Sequence, residues 1–445
     1  MDKHSLSPVE PTRWSNSTQP LRARSVPLLV QKVSSNPDAC KPLTHSSIDD
    51  LLTAELNNAV IKDIPGLLEH IIPDTALPAS PSNILSEINL SYPTIAPQRE
   101  GPLQLKSLFD LKSTHRCLTE ESSARLFNIV TACAAKAARL PTVRRVWTAA
   151  YCNKGLPGIR ATRRPDVALF DLLQPLPPDE LLKRAQSRRP RPLHEEKSHS
   201  FHSLRSTCQV KCSPTHQLKS RGELAQDAYF IFSAQCNRRF VLGISLCGLE
   251  AGLSYFDRAG ALHSILFPID QTPLLFIRLV VGLSLGRDDM IGYDTTISDG
   301  PLRHIKVEDT YYQIVETLFI SDMIRGRGTI CYRASRDGKD FVIKDIWANV
   351  NNQPTEVEIL KRIAENGIQG VPVFEQAAVV KNGGRTDTTA WARSCIPSTG
   401  PQRALLPRIE TREHRRIVMS PFAKPLYEFQ SKIELLTALR DAILG

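Results

Sequence analysis

Arg325-Gly326-Arg327-Gly328-Thr329-Ile330-Cys331-Tyr332-Arg333-Ala334, followed by Phe341-Val342-Ile343-Lys344-Asp345, is the stretch on which the fold turns. It reads as a tight glycine loop, a strand, a turn at Asp337-Gly338 and a second strand. Glycines let backbone N–H groups approach a polyphosphate closely, and a lysine on the following strand reaches the phosphates. A bare G-x-G is weak by itself, because any hairpin turn supplies one. Lys344 adds more: a lysine in an apolar V-I-K strand is costly unless it has a partner or a task.

Downstream, Thr355-Glu356-Val357-Glu358-Ile359-Leu360-Lys361-Arg362-Ile363 opens a helix with Ile359, Leu360 and Ile363 expected on its buried face. Thr355 and Glu358 have capping-box spacing, and Gly367 is placed to end the helix. That leaves Glu356 as the partner of Lys344, with Glu358 as second choice. Gly370-Val371-Pro372-Val373-Phe374 enters a strand, and residues 381–413 read as a long irregular insertion. Arg415-Arg416-Ile417-Val418-Met419-Ser420-Pro421-Phe422 reads as a strand running into a hinge, with a helical stretch at Lys432–Ile443.

The ordered set R-G-R-G-T-x-x-Y-R-A, V-I-K-D, E-x-E-I-L, G-x-x-G-V-P, R-E-H-R-R-I-V-M-S-P and K-P-L-x-E-F-x-S-K-x-E-L-L-x-A-L-R-D-A-I resembles the fungal-type protein kinase family. The resemblance implies a bilobal kinase fold, an ATP phosphotransferase activity, and ATP with Mg2+ as cofactors. It places Gly326, Gly328 and Thr329 over the phosphates, Lys344 on the α/β-phosphates paired with Glu356, and Met419, Ser420 and Phe422 in the adenine hinge. Three features depart from the pattern. The loop is two residues short and lacks a third glycine. Only twelve positions separate Lys344 from Glu356. No H-R-D-x-x-x-x-N and no D-F-G occurs, so the catalytic and metal-binding aspartates are missing. The expectation is a kinase-like protein that is inactive as it stands, either a fragment or a pseudokinase.

Upstream, short β-rich runs at Arg145–Ala149, Val167–Asp171, Thr207–Lys211, Arg239–Cys247 and Leu253–Asp257 alternate with helical pieces at Arg221–Cys236 and Pro273–Leu285. Arg239–Cys247 and Leu253–Asp257 read as a hairpin. Asp166 heads one apolar strand, and on another Gln209 and Lys211 share a side. This resembles the P-D…(D/E)-x-K nuclease core that often precedes such kinase domains. Gln209 stands where an acid is expected and brings no negative charge, so Asp166, Gln209 and Lys211 are a weakened metal set. Glu121 is a further carboxylate on the preceding helix. His199, His202, Cys208, Cys212 and His216 lie close together without the spacing of a standard zinc site.

The expected fold class is therefore α+β and multidomain. Residues 1–45 are expected to be disordered, 46–143 a helical region with a Pro-rich linker, 144–300 a nuclease-like α/β domain, and 301–445 a kinase-like N-lobe that stops before the catalytic loop. The stretch 47–72 is expected to be helical from Leu51, Leu52, Leu56, Val60 and Ile61, and a second helix to run from about Glu120 to Leu140 capped by Thr119. Hydrophobic residues make up 41% of the chain, enough for cored domains. The charge, 56 − 46 = +10, permits binding of nucleic acid or another polyanion. Lys183 to Arg191 is a basic stretch that reads as an import signal, a polyanion patch or a solvated loop. Nucleotide and nucleic acid are the candidate partners; the sequence names no protein substrate. The ten scattered cysteines suit reduced thiols. With no secretory signal and no apolar run of bilayer length, the expectation is an intracellular protein, nuclear or cytoplasmic, with no membrane association.

Overall fold

The computed structural model describes residues 45–95, 103–105, 117–159, 161–187, 199–298, 300–368, 370–423 and 426–444, all within one unit, Pro42–Gly445. The N-terminal stretch read as disordered, most of the basic stretch after Ser187, and Lys424-Pro425 lie outside them. The chain opens with α1 (His45–Glu55), whose Ile48 and Leu52 are buried. The apolar period does not continue as one helix. Asn58 takes a left-handed conformation (φ 59°) and turns the chain into β1 (Val60–Ile64), followed by the short α2 (Leu67–Ile71). The β-branched V-I-K-D-I segment gains more as a strand, because Ile61 and Ile64 then bury completely against a distant partner.

Next come α3 (Pro81–Ser91), α4 (Glu120–Ala137), β2 (Val143–Thr148), β3 (Val167–Leu176), α5 (Pro178–Gln186), β4 (Leu204–Lys211), α6 (Gln217–Ala234), β5 (Phe240–Cys247), β6 (Glu250–Asp257), β7 (Gly260–Ser264), β8 (Phe267–Pro268) and α7 (Pro273–Leu285). Thr119 caps α4, accepting the Ser122 N–H at 3.2 Å. The strands form one mixed sheet in the order β1-β7-β6-β5-β4-β3-β2, with β8 beside β6. β1 runs parallel to β7 and β4 parallel to β5, while β5 and β6 form an antiparallel hairpin turning at Gly248. One face packs on α4 and α7 through Phe127, Ile129, Phe276 and Val280; the other packs on α1 and α6 through Leu52, Ala228 and Phe232. β5 is buried along its whole length, as its nearly unbroken apolar sequence requires.

A second, fully antiparallel sheet follows: β9 (His304–Val307), β10 (Thr310–Ile320), β11 (Ile330–Arg336), β12 (Lys339–Asn349), β13 (Val373–Val379) and, after the short β14 (Lys381–Asn382) and β15 (Arg385–Thr386), β16 (Arg412–Ser420). Its order is β13-β16-β12-β11-β10-β9. Asp337 and Gly338, both at positive φ (51° and 74°), make the two-residue turn that sets β11 against β12. α8 (Glu356–Glu365) follows β12. Its apolar side is less covered than expected: Ile359 is 44% exposed, and Leu360 and Ile363 are half-buried.

The segment read as an irregular insertion is ordered. β14 and β15 pair around Gly383-Gly384, and the short helices α9 (Ala390–Arg393) and α10 (Pro401–Leu405) return to the first sheet, burying Ala392, Ile396 and Ile409 in its core. α11 (Lys432–Leu444) ends the described chain with Ile433 and Leu436 exposed. Among the described residues no helix is long and apolar enough to cross a membrane.

Candidate functional site

Lys344 lies mid-strand in β12, opposite Cys331 of β11 and Ile417 of β16. Its ammonium reaches Glu356 Oε1 at 2.5 Å. The capping box explains which glutamate is available. Thr355 Oγ1 accepts the Glu358 N–H at 3.2 Å, and Glu358 Oε2 accepts the Thr355 N–H at 2.7 Å, so Glu358 is committed to the helix end. Glu356, the first residue of α8, faces the lysine strand. Its second oxygen accepts a hydrogen bond from Arg327 Nη2 in the glycine loop. A strand lysine is thus matched by a carboxylate, and that carboxylate carries two cations.

The loop between β10 and β11 is closed at its base by the Ser321 N–H donating to Thr329 O at 2.9 Å. Its tip inserts into the first sheet's helical layer, with Ile324 fully buried among residues of α1 and α6. Arg325 N–H donates to Glu55 Oε1 at 2.5 Å, and Gly326 N–H to Arg258 O at 2.9 Å. Burial raises the pKa of Glu55 to about 7, although the N–H groups of Arg325 and Ile324 and the charge of Arg258 pull it back. Burial likewise lowers the pKa of Arg258, fully covered and stacked 4.0 Å above the Phe232 ring, to about 10. Gly328 is fixed by this docking: at φ 48° it lies so close that an added Cβ would sit 2.4 Å from Arg258 Nε. Sequence reading missed Glu55 and Arg258, which carry no local signal. Arg327 lies inside R-G-R-G, where the motif itself draws attention only to the glycines.

Met419, the residue before the end of β16, lies opposite Val342 and Phe374. Ser420 donates to Glu375, and the Phe422 ring lies 4.7 Å from the Arg333 guanidinium. These hinge candidates therefore stand at the strand end adjoining β12.

The reverse face of β12 holds a buried charge network. Asp345 accepts from His414 Nε2 at 2.5 Å and from Arg416 at 3.3 Å; His414 Nδ1 meets Asp387 at 3.0 Å; Arg416 also pairs with Asp294. Arg239, the residue before β5, grips Asp387 with two bonds of 2.7 Å. Burial opposes the charge on His414, but Asp345 and Asp387 overcome it and raise its pKa to about 9. Burial also opposes the charge on Asp387, and Arg239 and His414 outweigh it, holding that carboxyl well below the usual range. Asp294, Asp345 and His414 are close enough to share a cation, the only such group among the described residues. Arg416 already pairs with Asp294 and Asp345, and three cations (Arg239, His414, Arg416) face three carboxylates (Asp294, Asp345, Asp387), so the network is balanced without a metal. Strand alternation explains the missed signal: His414 and Arg416, two apart, point to one side.

Asp166, Gln209 and Lys211, expected together as a metal set, are divided. Lys211 Nζ meets Asp166 Oδ2 at 3.0 Å and Glu223 Oε2, on α6, at 2.6 Å. Burial works against its charge, and the two carboxylates more than offset it, so its pKa is raised. Gln209 does not join them. Its amide donates to Asp227 at 2.7 Å, and Asp227 is paired with Arg163 at 2.6 Å. The lysine amine sits between the carboxylates that would hold an ion. His199 stacks on Phe170 with centroids 4.0 Å apart and the ring of His202 bonds Ala234 O at 2.8 Å; Cys212 and His216 meet, Sγ to Nδ1 at 4.0 Å, but among the described residues no three of the His/Cys set gather around one point.

No curated protein and no solved structure matches the chain. The family model described as fungal protein kinase matches residues 178–445, more than half of the chain, from the first residue of α5 through the whole second sheet. The chain belongs to the fungal protein kinase family.

Proposed function

We propose that this chain is a kinase-like nucleotide-binding protein that holds ATP against the second sheet. The carrying observation is the 2.5 Å contact of Lys344 with Glu356, one on the strand after the glycine loop and the other at the head of the next helix. In this reading Lys344 contacts the α/β-phosphates, Met419, Ser420 and Phe422 border the adenine, and Gly326, Gly328 and Thr329 lie beside the phosphates, with the Gly326 N–H already given to Arg258 O. The phosphates fit the cationic residues present. Among the described residues near Lys344 no carboxylate is free for magnesium: Glu356 is taken by two cations, and Asp294 and Asp345 are paired with Arg416. The proposal concerns the holding of nucleotide by these residues. The test is calorimetric titration of the full chain with ATP. Lys344→Met should weaken binding at least about ten-fold; binding by that variant equal to the native chain's sinks the assignment.

A second reading has its own observation, the meeting of Asp166, Lys211 and Glu223 on the first sheet. It supports a degenerate nuclease-like module that binds nucleic acid without cleaving it, aided by the +10 charge. A log affinity for DNA that falls linearly as log salt rises supports this reading, and no binding at low salt removes it.

A further inference from the structure

Arg327 stands between the two glycines of the loop, and its guanidinium shares Glu356 with Lys344. One carboxylate thus serves two cations, leaving a local charge of +1. The group is open to solvent on the loop side: the Arg327 side chain is 55% exposed, against 21% for Lys344. The backbone on either side is pinned. Gly326 N–H donates to Arg258 O at 2.9 Å, and Trp347 N–H donates to Arg327 O at 2.7 Å. One residue further back, Arg325 N–H is held by Glu55, and Ile324 is sunk in the core. Residue 327 therefore cannot leave with a swinging loop, and only its side-chain torsions move the guanidinium.

We propose that Arg327 is a second polyphosphate-binding cation, presented by the docked loop beside Lys344. The proposal rests on the nucleotide-holding reading above and adds to it the residue that grips the outer phosphates. A guanidinium donates two parallel N–H bonds to phosphate oxygens, a geometry an ammonium lacks. Its bond to Glu356 is solvent-exposed and hence weak, so a multiply charged phosphate displaces it readily. Glu356 then keeps Lys344 alone, and the two cations flank the phosphate chain. Glu55 and Arg258 are positioning residues, acting only through the loop they hold.

The test titrates the full chain with ATP, AMP and adenosine, comparing the native protein with Arg327→Gln, Arg327→Lys and Lys344→Met. Arg327→Gln should weaken ATP by roughly ten-fold and change adenosine by less than about two-fold. AMP should be affected less than ATP, and Arg327→Lys should recover part of the loss. Unchanged or tighter ATP binding by Arg327→Gln overturns the proposal and makes the arginine a partner of Glu356 only. An equal loss for ATP and adenosine also overturns it, because the effect is then on the fold. If the native chain binds none of the three, the nucleotide reading itself falls and the proposal with it. If Lys344→Met loses ATP while Arg327→Gln does not, the nucleotide reading survives and only this inference is lost.

Discussion

Replacing Asp387 with asparagine keeps the side chain's volume and removes the charge that ties three elements together. Asp387 accepts two bonds of 2.7 Å from Arg239 and one of 3.0 Å from His414, with its side chain only 4% exposed. In Asp387→Asn, a buried arginine and a buried histidine face each other without their shared carboxylate. Breaking one partner of such a pair costs about 3–5 kcal/mol. The loss should depend on pH. Asp345 and Asp387 raise the His414 pKa from 6.5 to about 9. A histidine raised in this way contributes stability that is complete below about 6.5 and is lost as pH rises through about 9. The shift, 9 − 6.5 = 2.5, corresponds to roughly 3 kcal/mol as an upper bound. Urea unfolding of both proteins at pH 6, 8 and 9.5, followed by tryptophan fluorescence, reads both effects, since Trp347 stacks on His414 with centroids 4.6 Å apart. The native chain should lose stability between pH 6.5 and 9, and Asp387→Asn should show a shallower slope. A deficit under about 1 kcal/mol at pH 6, or parallel pH slopes, would refute the idea that this network carries the contact between the sheets.

Glu55→Gln should behave in a related way. With its pKa raised from 4.5 to about 7, Glu55 contributes stability that is full below about 4.5 and lost as pH rises through about 7. The glutamine variant should therefore gain about 1–2 kcal/mol on the native chain between pH 5 and pH 8, discounted for partial exposure. Thermal midpoints at the two pH values check this, and a difference that does not change with pH counts against it. Gly328→Ala should cost about 3 kcal/mol, from positive φ and the approach of Arg258. Gly338→Ala, at φ 74° with nothing within 4 Å of its Cβ, should cost only about 1 kcal/mol. Equal unfolding midpoints for the two variants would mean that the loop is not held by Arg258.

What the sequence made legible was local chemistry. Thr355 and Glu358 announce a capping box three residues apart, and removing Glu358 from contention leaves Glu356 for Lys344. Asp337-Gly338 is short enough to fix its own hairpin. The misses came from partners far along the chain. Nothing in V-I-K-D-I reveals that β7 offers it an edge, so helical spacing through Leu56 was carried on into a strand. Residues 381–413 look irregular because their elements are short, and their ordering depends on a core built from Ile61 through Tyr293, far earlier in the chain. Gln209 and Lys211 do share a strand side, but Asp227 and Glu223 on α6 draw them to different partners. Gly328 is the most instructive case. The glycine was read as a phosphate contact, while the structure supplies a reason for it with no ligand at all, the buried Arg258 side chain.

The pairing of β1 with β7 sets an order on events as the polypeptide is made. Val60 lies opposite Ala261, so 261 − 60 = 201 residues must be synthesised before that edge closes. Until then Ala261, which packs in the same cluster as Ile48, Leu52 and Ile324, is missing from the socket for the Ile324 side chain. The entropy of closing so long a loop grows only slowly with its length, but such distant pairings slow the search. The glycine loop emerges about sixty residues after that edge completes, which lets its tip meet a finished socket rather than a bare strand.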